Sequence, residues 1–384
     1  MHIMKPLQQN TLVPYIADVP DPRCEGMCLH KFLDILIIAI CAVLCGADTW
    51  EAIAKFGRTK QEWLSTFLEL PSGIPSHDTF YRTFCLLDPV AFEECFRRWI
   101  ADTFRQFAGD GLDVIPIDGK CLRGSRSKSK RAIHMVSAWS TQTGMVLCQR
   151  KVDDKSNEIT AVPELLKSIH LKGCFVTTDA LNCQKEIVKV CIEQGGDYLL
   201  PVKGNQGNLH KQIKEAAERW WEQHPEGTLG FNYSETLDKA HGRTERRMGW
   251  VIDNLSGIGE AEKWQGLKQI GMIQRDRQVQ STVSMDVHYY IMSKQLSAAE
   301  MLDIARKHWE VENKLHWRLD VAFGEDQNRT TNNCAIENLS ILNRIALNIH
   351  TQDTDTKGSI RLKRQAAGWD NKKLEELLGT IVLI

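Results

Sequence analysis

The sequence predicts an α/β protein built on a mixed sheet with flanking helices, preceded by an all-helical domain and interrupted by a β-rich insertion. Residues 1–110 carry apolar side chains at helical spacing, which predicts the helical domain. Across residues 111–384 short apolar runs alternate with turns and helical segments, which indicates a sheet covered by helices. At about 205–295 strand-like segments follow one another, which predicts the insertion.

Proline, glycine and capping residues mark the ends of helices in the predicted helical domain. A helix over His30–Cys45 should end at Gly46, and Pro71–Pro75 should break the chain. Ser76 or Asp78 should cap the helix that follows this break. Such a helical unit could bind DNA. The alternative is that it has a purely structural role and binds no ligand.

The segments after residue 111 are ordered strand, strand, strand, helix, strand, helix, strand. This is the order of the ribonuclease H-like fold, a step that rests on analogy. Right-handed crossovers would place the first and fourth strands side by side. The predicted elements are Val114–Ile117, Ile133–Trp139, Met145–Val152, Ile159–Ile169, Cys174–Thr178, Gln184–Glu193 and Tyr198–Val202.

A capping box marks the helix that follows the insertion. Ser297 and Glu300 have the spacing at which each side chain bonds the other residue's backbone. The apolar pattern predicts a long helix from there through at least Leu315. Glu312 falls one turn after His308 on that helix, at the border of its apolar face.

Composition excludes several classes of function. A net charge of −1 predicts no general affinity for nucleic acid, so DNA contacts must come from local patches. The twelve cysteines complete no zinc-binding set, which indicates reduced thiols in a cytoplasmic protein. The apolar segment Ile35–Cys45 is too short to span a bilayer, so no membrane partner is expected. Motifs of NTPases, dehydrogenases, serine hydrolases and zinc peptidases are absent.

Two aspartates directly follow short apolar runs. Asp118 follows Val114–Ile117, and Asp179 follows Cys174–Thr178, so the predicted fold places both carboxylates at adjacent strand ends. Carboxylate oxygens suit hard divalent cations, and phosphodiester chemistry with two ions needs several converging carboxylates. The alternative is that each aspartate is a turn residue.

A basic run without acids follows Asp118. It contains Lys120, Arg123, Arg126 and Lys128, and it predicts a flexible loop that attracts phosphate groups. The alternative is a solvated run of charges that binds nothing.

The third carboxylate must come from the C-terminal part of the chain. On a regular helix Glu310 and Glu312 would point about 200° apart, so they should not both face one site. Glu312 lies towards the side expected to pack on the sheet, and Glu310 is expected towards solvent. Three later acids follow the predicted end of the helix. The candidates are therefore Glu310, Glu312, Asp320, Glu325 and Asp326.

The stretch His308–Asp326 resembles the acidic signature of DDE transposases from bacterial insertion sequences, in particular the H-repeat-associated proteins linked to Rhs elements. Matching pieces recur in order along nearly the whole chain. They are Asp21-Pro22-Arg23, Ile117-Asp118-Gly119-Lys120, Arg123-Gly124, Lys155-Ser156-Asn157-Glu158-Ile159, Thr178-Asp179-Ala180, Gln184, Asp197-Tyr198, Lys203-Gly204-Asn205-Gln206, His241-Gly242-Arg243 and Tyr289-Tyr290-Ile291.

The resemblance implies that Asp118, Asp179 and Glu312 are both the catalytic acids and the metal ligands. It implies Mg²⁺ or Mn²⁺ as a pair of ions, and metal-dependent strand cleavage and strand transfer of DNA. The DNA partners would be the element ends and the target, with a homodimer on DNA left open. Together with the basic run, it gives these predicted DNA-binding residues: Lys120, Arg123, Arg126, Lys128, Lys203, Asn205, Gln206, Arg243 and His308.

The chain departs from the broader insertion-sequence pattern around the third acid. Ala305, His308 and Leu319 stand where that class has a tyrosine, an arginine and a lysine. Histidine at the arginine position is a trait of the narrower family. Two alternatives stay open: a catalytically inactive DNA-binding remnant, and a ribonuclease H-like nuclease that does not transpose.

Overall fold

Six helices precede the first strand in the computed structural model of the protein, which describes residues 12–24, 26–107, 112–126, 132–152, 158–223, 232–240 and 242–379. The second of them ends before Gly46, as predicted. The Ser76 hydroxyl accepts a hydrogen bond from the Thr79 backbone N–H and caps the fifth. These helices are α1 (Val13–Ala17), α2 (Phe32–Leu44), α3 (Trp50–Thr59), α4 (Gln61–Leu64), α5 (His77–Leu86) and α6 (Pro89–Phe107).

Five strands form the first half of the sheet, in the order β3-β2-β1-β4-β5. β1 runs parallel to β4, and β4 runs parallel to β5, whereas β1, β2 and β3 are antiparallel. The predicted contact between the first and fourth strands is confirmed. The strands are β1 (Asp113–Leu122), β2 (Ile133–Trp139), β3 (Val146–Val152), β4 (Cys174–Thr177) and β5 (Asp197–Val202), and the helices between them are α7 (Glu158–Lys167) and α8 (Lys185–Glu193).

The predicted β-rich insertion continues this sheet. After α9 (Gly207–Gln223), four antiparallel strands follow, and the last of them pairs with β5. Within the described ranges the sheet has nine strands, in the order β3-β2-β1-β4-β5-β9-β8-β7-β6. The first insertion strand was not predicted. The four strands are β6 (Tyr233–Ala240), β7 (Arg243–Ile252), β8 (Gln269–Val279) and β9 (Thr282–Met292).

The helix after the insertion begins at the predicted capping box but ends earlier than expected. The Ser297 and Glu300 side chains bond each other's backbone, as predicted. The helix stops at His308, and a π-helical turn over Glu312–His316 follows. The C-terminal helices are α10 (Ala298–His308), α11 (Trp317–Phe323), α12 (Asn333–Gln352), α13 (Ile360–Trp369) and α14 (Asn371–Leu378).

One continuous core joins the two ends of the chain. Every α2 residue from Asp34 to Leu44 is buried, as expected for a helix enclosed by other elements. α2 packs against α3 and against α12, which belongs to the C-terminal region. α10 lies on the opposite face of the sheet, where its Met301 packs near Val114 and Phe175. In the described part of the chain, no helix combines the length and apolar character needed to cross a bilayer.

Candidate active site

Asp118 and Asp179 lie at matching distances along two neighbouring parallel segments. β1 pairs with β4 through Pro116 and Thr177; Asp118 lies two residues further along β1, and Asp179 lies two residues beyond Thr177, just after the end of β4. Neighbouring strands lie about 4.8 Å apart. Because side chains alternate along a strand, both carboxylates lie on the side of the sheet that α10 covers. The predicted juxtaposition of the two aspartates is confirmed.

The prediction that β1 ends at Asp118 is wrong. β1 exchanges its partner at this point: it pairs with β4 up to Pro116 and with β2 from Ile117 to Leu122. β4 itself ends at Thr177, so the sheet opens beside Asp118. The aspartate therefore lies in the middle of a long strand, where pairing with β2 holds its backbone in place.

Glu312 enters the same site from the π-helical turn. The Asp118, Asp179 and Glu312 side chains all line one cleft with a volume of ≈ 900 Å³. Glu312 is exposed, and among the described residues its carboxylate has no ion pair and no hydrogen bond. The cleft thus brings together the three acids that the resemblance singled out.

The expectation that Glu310 and Glu312 face different directions stays a prediction. Both line the cleft, but so does every residue from Trp309 to Lys314, and this lining does not give the direction of either side chain. The backbone at Glu310 and Val311 is helical, and the π-helical turn begins only at Glu312. The surroundings of Glu310 and Glu312 differ, since Glu310 pairs with Lys314 at 2.7 Å.

Burial and neighbouring acids act together on Asp118. Burial raises the pKa of its carboxyl to about 7, with further increases from Asp179, Glu312 and Glu158, against a lowering by the Gly119 N–H. Its side chain is 24% exposed, and His316 Nδ1 lies 3.5 Å from Asp118 Oδ2. Negative charge is therefore concentrated here, and a bound cation would relieve it.

A buried polar group behind the aspartates escaped the sequence prediction. Asn182 Nδ2 donates to Asp179 Oδ1 at 3.0 Å and to Glu158 Oε2 at 2.9 Å. Glu158 is 2% exposed and also pairs with His134. A Cβ on Gly119 would approach the Glu158 carboxylate to 2.5 Å, so only glycine fits there. The signal was present, because Glu158 belongs to one of the matching motifs.

The prediction that Lys120 lies in a DNA-binding loop is not supported by its position. Lys120 belongs to β1 and is 7% exposed. Its ammonium lies 2.6 Å from Asp320 Oδ1, 2.9 Å from Glu325 Oε2 and 3.5 Å from Asp326 Oδ1. Three carboxylates that follow 200 or more residues later in the sequence therefore surround the Lys120 ammonium.

The rest of the basic run is only partly described. Arg123 is 83% exposed and lies 3.7 Å from Asp326, and Arg126 is exposed. Lys128 lies outside the described residues. Contact of Arg123 and Arg126 with phosphate stays a prediction.

The remaining predicted DNA-binding residues fall into two groups. Lys203 and Arg243 are exposed cations that line the cleft. Asn205 Nδ2 donates to the Ala180 carbonyl at 2.7 Å, and Gln206 Nε2 donates to the Cys183 carbonyl at 2.9 Å. These two amides therefore hold the segment that follows Asp179.

His308 lines the cleft beside β4. Its Nδ1 lies 3.1 Å from the Thr177 hydroxyl, and burial lowers the pKa of the imidazole to about 4. The ring is therefore neutral at pH 7 and can exchange hydrogen bonds without adding charge.

The three carboxylates of the cleft have the right chemistry to bind a hard divalent cation, but they do not surround a single point as a complete set of ligands. Carboxylate oxygens are the ligands that Mg²⁺ and Mn²⁺ prefer. Among the residues that the structure describes, no three His, Cys, Asp or Glu side chains are arranged to hold one ion. The Asp118, Asp179 and Glu312 carboxylates would have to draw together around a cation.

Two family matches account for most of the chain. Residues 13–100 match the family described as DDE_Tnp_1-associated, and residues 109–349 match the family described as Transposase DDE domain. The second match covers more than half of the chain and includes all three acids of the cleft. The chain belongs to the DDE transposase family.

Within that family the chain is similar to the H-repeat-associated group. It is 41% identical to the "H repeat-associated putative transposase YhhI" of Escherichia coli K12 over 97% of this chain and 98% of that protein. It is 44% identical to the "Uncharacterized protein in dhlA 3'region" of Xanthobacter autotrophicus over 73% and 93%. A piggyBac transposase synaptic complex with hairpin DNA aligns at 11% identity with a TM-score of 0.42, covering 96% of this chain and 77% of that one.

Proposed function

We propose that this protein is a transposase that cleaves DNA strands at the ends of an insertion-sequence element and joins them to a target. One observation carries the proposal. Asp118, Asp179 and Glu312 line a single cleft, where Glu312 has no cationic partner among the described residues and burial, together with the neighbouring acids, raises the pKa of Asp118. Carboxylates that line one cleft in this way can bind a divalent cation, and the cation can in turn bind a phosphodiester substrate.

The strand arrangement supports a ribonuclease H-like catalytic domain. Three antiparallel strands precede a parallel pair, and β1 lies beside β4. The insertion falls between the second and third acids and extends the sheet at β5. A boundary between two domains near residue 110 stays a prediction, because the described helices on both sides share one core.

Asp118, Asp179 and Glu312 would hold Mg²⁺ or Mn²⁺, because these three side chains offer only carboxylate oxygens and no thiolate or imidazole ligand of the kind that softer metals prefer. When bound, such ions stabilise the charge that develops on the attacking and leaving oxygens of a phosphodiester.

The protein's own groups prepare this site. Asn182 fixes the Asp179 carboxylate through its side chain and through its backbone N–H at 3.1 Å. His316 faces Asp118 from the π-helical turn, and His308 offers a neutral ring at the cleft wall. Lys203 and Arg243 add positive charge that attracts a phosphate backbone.

The test compares two acids on the same turn of chain. Glu312→Gln, Glu310→Gln and the unchanged protein are assayed with Mg²⁺ for nicking and strand transfer of a DNA that carries an element end. Glu312→Gln should lose both reactions while binding DNA and folding normally, and Glu310→Gln should keep them. A fully active Glu312→Gln protein would overturn the assignment of this ligand.

The same assay separates the alternatives. Nicking without joining of the ends to a target would favour a nuclease that does not transpose. DNA binding without any metal-dependent cleavage by the unchanged protein would favour an inactive remnant.

A further inference from the structure

Basic side chains of the insertion line the same cleft as the three acids. The cationic residues that line the cleft from the insertion are Arg243 and Arg247 on β7, and Arg275 and Arg277 on β8. We call these four residues the arginine wall. Because residues two apart on a strand share a face, all four lie on the α10 side of the sheet, the side of Asp118 and Asp179.

The sheet register packs the arginine wall closely. Arg247 lies opposite Arg275, and Arg277 lies opposite Glu245. Successive positions on one face of a strand lie about 6.8 Å apart. The wall therefore presents several guanidinium groups over a short distance, on strands that are hydrogen-bonded to the catalytic half of the sheet through β9 and β5.

Two members of the wall are held by acids and two are not. Arg247 pairs with Asp238 at 2.5 Å and with Glu245 at 2.6 Å, and Arg275 pairs with Asp286 at 2.8 Å. Arg243 and Arg277 are exposed, and among the described residues neither side chain has an ion pair or a hydrogen bond. An unpaired guanidinium is free to bind a phosphate in a two-pronged contact.

The opposite face of the same strands has a different character. There Arg246 pairs with Glu235 at 2.7 Å, and the exposed neighbours include the apolar Val283 and Met285. Unpaired arginines are therefore placed on the face that carries the catalytic acids. A structural role for Arg243 and Arg277 would need partners that the described residues do not supply.

We propose that the arginine wall binds the sugar-phosphate backbone of the DNA strand that enters the cleft, with Arg243 and Arg277 as its primary contacts. This inference rests on the proposed function, since it takes DNA as the substrate. Arg243 was already among the predicted DNA-binding residues, and the proposal adds Arg247, Arg275 and Arg277 to it, making β7 and β8 rather than the basic run after Asp118 the main backbone contact. Contacts to phosphate are independent of base sequence.

Two double variants with the same charge change test the proposal. Arg243→Gln/Arg277→Gln removes two cations from the wall, and Lys239→Gln/Arg246→Gln removes two cations from the opposite face. Binding of two duplexes of unrelated sequence is measured by fluorescence anisotropy between 50 and 200 mM salt. The wall variant should bind both duplexes more weakly, with a salt slope smaller by about 2, because about 0.9 counterions are released per phosphate contact. The control should match the unchanged protein.

A second pair of variants tests the wall in the opposite direction. Asp286→Asn frees Arg275 from its partner, whereas Asp276→Asn makes the same charge change on the opposite face of β8. Asp286→Asn should bind both duplexes more tightly than Asp276→Asn does. Equal affinities of these two variants, or equal salt slopes of the two double variants, would overturn the proposal.

The outcomes distinguish this inference from the proposed function. If the unchanged protein cleaves element-end DNA but the wall variant binds DNA as well as the control does, the inference fails and the proposed function stands. If the wall variant loses DNA binding but the unchanged protein cleaves no DNA with Mg²⁺ or Mn²⁺, the proposed function fails and the wall stands as a DNA-binding surface.

Discussion

Two clusters of acidic side chains lie near β1, and their surroundings shift carboxyl pKa values in opposite directions. The open cluster is Asp118, Asp179 and Glu312, which line the cleft. The neutralised cluster is Asp320, Glu325 and Asp326, which surround the Lys120 ammonium. Asp118 and Lys120 are two residues apart on one strand, so a short distance along β1 separates the two clusters.

The neutralised cluster is completed from inside the core. Arg344 is fully buried, and its Nη1 donates to Glu325 Oε1 at 2.8 Å. Burial opposes ionisation of Glu325, yet Arg344 and Lys120 together lower the pKa of its carboxyl to about 2. In the open cluster, by contrast, the pKa of Asp118 is raised. The comparison separates acids that are neutralised inside the fold from acids that line the cleft, which are the proposed ligands of a cation.

The largest expected effect is the loss of activity on removal of an open-cluster charge. Asp118→Asn should lower the rate of strand cleavage about 10³-fold or more, because several kcal/mol of charge stabilisation are lost. Its free energy of unfolding in EDTA at pH 8 should not fall, since the substitution removes repulsion between carboxylates. Cleavage is followed on labelled element-end DNA and unfolding by urea titration. A large loss of stability would place Asp118 with the acids that are neutralised inside the fold.

Removal of the cation from the neutralised cluster should instead lower the free energy of unfolding. Lys120→Met leaves Asp320, Glu325 and Asp326 without their shared ammonium and should cost about 3–5 kcal/mol of unfolding free energy. Arg123→Met is the matched control, because Arg123 is 83% exposed on the same segment. Urea titration measures both. If Lys120→Met is as stable as the control, the ammonium is free for other roles, including the predicted DNA contact.

The pH dependence of stability should follow Glu325. The Arg344 and Lys120 cations lower its pKa in the folded protein to about 2 from the ordinary value of 4.5. The stabilisation is therefore complete above about pH 4.5 and is lost as the pH falls towards 2. Glu325→Gln should be less stable than the unchanged protein at pH 7, and the difference should shrink as urea titrations approach pH 3. A difference that stays constant would contradict the lowered pKa.

The smallest effect is expected at the exposed pair Glu310–Lys314. Lys314→Ala breaks an i,i+4 contact of 2.7 Å between partly exposed side chains, which is worth about 0.3–0.5 kcal/mol. The urea midpoint should shift only slightly. A loss above 2 kcal/mol would show that the pair supports the π-helical turn.

Local patterns predicted much of the fold. The capping box at Ser297, the helix stop at Gly46 and the strands that precede both aspartates depend on neighbouring residues, so the sequence alone reveals them. The position of Asp118 beside Asp179 followed from the order of the strands. The three candidate acids needed the family resemblance as well, because spacing alone left five candidates for the third.

Features that depend on distant residues were missed. The extension of β1 to Leu122 requires pairing with β2, and the burial of Lys120 requires acids 200 or more residues away. The π-helical turn Glu312–His316 interrupts the predicted long helix, and no local pattern in the sequence indicated it. The strand β6, whose residues lack a strong apolar pattern, gains its pairing from β7.

The π-helical turn Glu312–His316 makes the length of this segment as important as its residues. A π-helical turn carries one residue more than the α-helical turn it replaces. Deleting one residue there would let an α-helical turn take its place, so the helical segments on either side would keep their packing. Leu315 and Leu319 are buried, so the core would hold the chain that follows the turn. A one-residue deletion in this turn would therefore change which side chains it presents to the cleft and leave the rest of the fold in place.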